Sequence, residues 1–220
     1  MELLHTRRSL DLGAATEPDP RLSTAWLYGE ARGKMFGVME CLAADGSTRI
    51  LRAFSGQYNG LWEIAGWAPP LFDHRQLAVI SATTEQEIKR LGAELANARD
   101  PWQRRTLQRH RRQLSRDLMR QIHGLYRLTD FHGREASLSA AHGGSGIPTG
   151  TGDCCAPKLL NLAARSNLVP LGMAEFFWGR SNRSGTREEG RIYPSCAEKC
   201  APILGFMLCG LEARHAGAIA

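Results

Sequence analysis

The sequence predicts an α/β domain carrying a helical-hairpin insertion, and three observations predict it. An Asp-Gly turn joins two strand-like runs near the start of the chain. A long stretch of helical periodicity interrupts the middle. Beyond it come a helix, a strand and a second helix, and both helices open with cysteine. The chain has 220 residues, of which 43% are hydrophobic and 23% charged, enough for one large domain with a real core. The boundaries follow as a leader over 1–30 and a single domain over 31–220, with 81–128 as the insertion.

The leader, MELLHTRRSLDLGAATEPDP, has no apolar signal core, so it reads as frayed or loosely docked, and a cytoplasmic protein is expected. No apolar run approaches the roughly 18 residues of a membrane span. Six cysteines in such a chain point to thiols, a metal site or reactive groups rather than a disulfide frame.

Residues 34–57 read as a β-hairpin, with MFGVMECLA and TRILRAFSG as strands and ADGS as the turn. Residues 58–80 carry Trp62, Trp67 and a Pro-Pro pair. They form either a packed aromatic lid or a surface on which a base stacks. Helical periodicity runs over 83–127. Thr84 and Glu87 make a capping box, and Asp100-Pro101 breaks and restarts the pattern. Arg104, Arg105, Arg109, Arg111, Arg112, Arg116, Arg120 and Arg127 face a single acid, Asp117. Such a face is either solvated or pairs with nucleic-acid phosphates, and RNA is the expected partner. Residues 141–152 are a glycine-rich loop without the Gly-Lys-Ser/Thr of a P-loop. DCCAPKLLNLAAR then reads as a helix, LVPLGMAEFFWG as a strand and YPSCAEKCAPILGFMLCGLE as a Pro-led helix. The tail after Leu211 reads as frayed.

Cys196 and Cys200 are four residues apart, which places them one turn apart on a helix face. Cys154 or Cys155 opens the other helix. Helix N-termini favour thiolates, so Cys154, Cys196 and Cys200 are candidate ligands of one zinc with a fourth position open. The alternative is three neighbouring buried thiols. Only one of Cys154 and Cys155 should face the site, because a helix turns about 100° per residue.

The order of GVMECLAADGSTRILRAFSGQ, GDCCAPKLL and YPSCAEKCAPIL resembles the cytidine-deaminase-like zinc fold. That resemblance implies a three-layer core, a mixed sheet with helices on both faces. It sets Cys154 on the family's first ligand and Ala156 on its catalytic Glu, and the second cysteine pair is one residue longer than the family's. A closer resemblance covers nearly the whole chain. GKMFGV, AFSGQ, GWAPPLFD, TGTGDCCAPKLL, MAEFFWG and YPSCAEKCAPIL are similar to the domain preceding the catalytic domain of some RluA-type RNA pseudouridine synthases. It implies an RNA-modification setting. The Arg-Leu-Asp of the pseudouridine synthase is absent, so that activity is not expected.

Asp153 and Glu175 are candidates to replace the missing acid/base. Asp153 alternatively caps the helix at 154, and Glu175 alternatively forms a buried ion pair with an arginine. Cys155 is a candidate nucleophile with His142 as its base. Lys158 binds an anion or phosphate, or is simply solvated. Three functions stay open: an RNA-binding domain, a zinc-dependent hydrolase or deaminase of a nucleobase or related amine, and a docking domain for a separate modification enzyme such as a pseudouridine synthase.

Overall fold

The structure, a computed structural model, describes residues 1–13, 19–144 and 146–219. In chain order the elements are α1 (Glu2–Arg7), β1 (Lys34–Leu42), β2 (Thr48–Phe54), α2 (His74–Asn97), α3 (Pro101–Leu125), β3 (Arg127–Thr129), β4 (Glu135–Ser137), α4 (Leu138–His142), α5 (Cys155–Arg165), β5 (Val169–Trp178), β6 (Ile192–Tyr193), α6 (Ala201–Met207) and α7 (Leu211–Ile219). Two 3-10 turns, Pro20–Leu22 and Thr24–Tyr28, lie between α1 and β1.

The α/β class holds. The main sheet has the order β2-β1-β5-β6, and β3 pairs with β4 apart from it. The β1–β2 hairpin closes through Ala43 N–H to Ser47 O at 2.9 Å, with Gly46 at φ 78°. The expected mixed sheet is corrected: every pairing in it is antiparallel. The cause is the link after α5. Cys155 sits against Gly37 near the start of β1. Asn167, at φ 53°, then turns the chain sharply, and Val169 enters opposite Leu42 at the end of β1. The strand β5 must therefore run back along β1.

Strand alternation separates two cores. Met39, Cys41 and Ala53 face α5, where Leu159, Ala163, Leu138, Phe131 and Ile203 join them. Phe36, Phe54, Phe176 and Trp178 face the other way. Left bare, that second aromatic face would meet water, and side chains from residues 1–13 and 19–30 cover it. Leu4, Leu10 and Leu27 are buried there, Trp67 Nε1–H donates to Leu10 O at 2.8 Å, and Tyr58 Oη–H to Ser23 O at 2.8 Å. The described residues of the leader are thus part of the core rather than loosely docked. The C-terminal segment is also ordered. It forms α7, held by Arg214 Nε–H donating to Phe131 O at 2.8 Å.

The helical hairpin starts earlier than expected. Asp73 caps α2 by accepting from Arg75 N–H at 2.8 Å, so Thr84 lies inside the helix rather than at its start. Asp100 caps α3 as the Asp-Pro pair predicts, accepting from Gln103 N–H at 2.7 Å. The two helices pack mainly on each other. Trp102, at the far end, is 73% exposed. Among the described residues no helix is long and apolar enough to cross a membrane.

Candidate functional site

The Gly150–Gly152 turn, with φ 80° and 90°, delivers the chain into α5. Close packing of the first turn on β1 requires Gly37, where a Cβ would stand 2.6 Å from Cys155 Cβ. Cys154 is the N-cap residue but makes no side-chain cap. Glu175 does that work from β5. Its Oε1 accepts from Ala156 N–H at 3.1 Å and from Ser195 Oγ–H at 2.9 Å, and the residue is 5% exposed. Among the described residues no arginine pairs with it. Burial pushes its carboxyl above the ordinary range, against the two hydrogen bonds. A carboxyl group therefore stands at the backbone of Ala156.

Asp153 does not cap α5. It accepts the Tyr126 Oη–H bond at 2.7 Å, and burial raises its carboxyl against the pull of that bond. It lines a cleft of about 570 Å³ with Trp62, Phe72, His123 and Tyr126. Trp62 stands edge-on to Phe72, their ring centroids 4.9 Å apart, and Phe72 lies 4.7 Å from Tyr126. Trp62 thus forms one wall of an opening, whereas Trp67 packs beneath the sheet.

The adjacent cysteines part company. Cys155 is fully buried, its Sγ–H aimed at Met35 O at 3.4 Å and Ala53 O at 3.8 Å. Burial holds the thiol protonated, and its partners are carbonyls, not His142. That environment does not make a nucleophile. Cys154 turns the other way and meets Cys200. Interaction between the two thiols raises Cys154 and lowers Cys200, and the backbone N–H groups of Gly152 and Cys154 also favour the Cys200 thiolate. Cys196 adds a weaker electrostatic influence on Cys154. It is not on the following helix as expected. That helix, α6, opens at Ala201 with Cys200 as its N-cap and Pro202 in its first turn, and Cys196 lies in the turn before it. Among the described residues no three His, Cys, Asp or Glu side chains gather closely enough to hold a metal ion. The thiols form a pair with a third nearby, not the close three-ligand cluster expected for an open zinc site.

Lys158 departs furthest from its expected place. It is 1% exposed, and its Nζ donates to Phe54 O at 3.0 Å and Gly56 O at 2.9 Å, 4.9 Å from the Phe54 ring. Burial lowers its ammonium to about 8. It ties α5 to the end of β2 and is not a surface phosphate ligand. Arg104 is structural too, closing the hairpin through Leu95 O at 3.2 Å and Ala98 O at 2.9 Å. Arg105, Arg109, Arg112 and Arg116 are exposed. Tyr126, His123 and Ser195 were not singled out from sequence. His123 carried the clearest signal, a polar residue beside Met119 and Ile122 on an apolar stripe.

No family model, no curated protein and no solved structure matches the chain.

Proposed function

We propose that this domain binds RNA through α3 in an RNA-modification setting. One observation carries the reading. Arg105, Arg109, Arg112 and Arg116 follow one another at intervals of four, three and four residues, so they form a single row along an exposed face. The row runs about 16 Å at 1.5 Å per residue. The acid of α3, Asp117, is paired with Arg120, outside that row. A row of guanidiniums on a projecting arm suits a phosphate backbone, which fork-shaped donors grip. The test is RNA affinity of Arg105→Glu/Arg109→Glu/Arg112→Glu. Binding falls by about a hundredfold, with a shallower salt dependence. Unchanged affinity in a folded variant overturns the reading.

A second reading, a zinc-dependent hydrolase or deaminase, is favoured by Glu175. Its buried carboxyl stands at the start of α5, the same turn that carries Cys154. Within that reading Glu175 is the proton-transfer group, and zinc binding would have to draw Cys196 in towards the Cys154–Cys200 pair. Metal analysis of the untagged protein, with a screen of nucleosides and free amines, tests it. Activity that survives Glu175→Gln, or survives Cys154→Ser, removes it.

A further inference from the structure

Between α3 and the glycine-rich loop after α4 lies a second cleft of about 870 Å³. Arg116 ends the exposed arginine row and also lines this cleft, with Arg120, which also pairs with Asp117, one turn further on and Ser139 and Gly146 opposite. His123 lies between this cleft and the one lined by Asp153. It is 9% exposed, and its Nε2 is buried without a hydrogen-bond partner among the described residues. A buried ring nitrogen with no partner carries its desolvation cost uncompensated, so such a group asks for a ligand. His142 Nδ1 is buried and unpartnered as well, and the two rings lie close enough to influence each other. Two guanidiniums and an orphaned imidazole around one opening are an anion's donors.

We propose that this cleft is a phosphate site, in which Arg116 and Arg120 grip the anion's oxygens and His123 Nε2–H donates the inner hydrogen bond. The inference rests on the RNA reading only in treating α3 as a phosphate-facing helix. A terminal phosphate, a backbone phosphodiester and a free phosphate ester share the chemistry. Burial lowers the His123 pKa, so the ring meets the anion as a neutral donor in the tautomer with its proton on Nε2.

The test titrates inorganic phosphate into the full chain and follows the ring carbon signal of His123, identified with His123→Gln. A saturable shift is expected. Arg116→Ala/Arg120→Ala weakens phosphate binding by about tenfold or more. Arg49→Ala/Arg183→Ala, which removes as much charge without touching the cleft, leaves it within about twofold. No saturable shift, or the same shift in both double variants, overturns the site and leaves an adventitious ion only. Competing oligonucleotides then separate the sources. Competition by a 5′-phosphorylated strand alone assigns a terminal phosphate. Equal competition by its unphosphorylated twin assigns the backbone, and competition by neither assigns a free phosphate ester. The RNA reading fails on the triple charge reversal and this site fails on the phosphate titration, so the two failures are distinct.

Discussion

The arginine arm and the start of α5 handle charge in opposite ways. Along the α3 row from Arg105 to Arg116 the cations stand in water, where screening leaves each of them little influence on folding. At α5 the charged and polar groups are buried, and each has a specific partner: Lys158 two carbonyls, Glu175 an N–H and a hydroxyl, Asp153 a phenol. The first region can lose a side chain and keep its shape. The second cannot, because every deletion strands a desolvated partner. Charge in the arm is available for binding, while charge at α5 is already committed to holding two elements together.

Substitutions can break that contrast. Gly37→Ala has the largest expected effect, about 3 kcal/mol, because a Cβ there meets Cys155 Cβ at 2.6 Å across the β1–α5 contact. Urea unfolding measures it, and a loss below about 1 kcal/mol would show that α5 can lift without penalty.

Lys158→Met comes next, and its effect depends on pH. Folding depresses the lysine from 10.5 to about 8, so the unfolded chain holds more protons between those values. Stability from this group is therefore present above the unfolded pKa and is lost as pH falls through the folded one. Unfolding free energy of the native chain should rise by about 3 kcal/mol across that window relative to the variant. A parallel pair of curves would mean that Lys158 is not buried as described.

Tyr126→Phe removes the hydroxyl that Asp153 accepts from and costs about 1 kcal/mol. At the small end, Arg109→Ala changes stability by less than about 0.5 kcal/mol. Its salt slope for single-stranded RNA falls by about 0.7. A large stability loss there would erase the distinction between the two regions.

Local chemistry was legible and long-range chemistry was not. The Asp-Gly turn, the Asp-Pro restart and the run from Asp153 through Trp178 each carry their signal within a few residues, and those elements stand where expected. The strand direction of β5 depends on how α5 lies across the sheet, which no single stretch records. Glu175 is bound to Ala156 and Ser195, 19 and 20 residues away, so its role as a cap from outside the helix is visible only once β5 and β6 are paired. The leader misled for the same reason. Leu4, Leu10 and Leu27 follow neither helical nor strand period, because they cover an aromatic face instead of belonging to one long element. Charge posed the hardest problem. Lys158 and Arg109 look alike as letters, and burial alone makes one a strut and the other a handle.

The shape of the hairpin has a further consequence for how the molecule opens. In α2 the buried residue is Leu91, and in α3 they are Leu118 and His123. So little is sealed against the rest of the domain that the outer turns can unwind while the sheet and α5 stay shut. In deuterated solvent the amides around Trp102 should exchange by local fraying, far sooner than those of β1, which lies between β2 and β5. A polyanion lying along the arm would slow that exchange selectively, so the rate at which hydrogens leave the hairpin becomes a direct report of its occupancy.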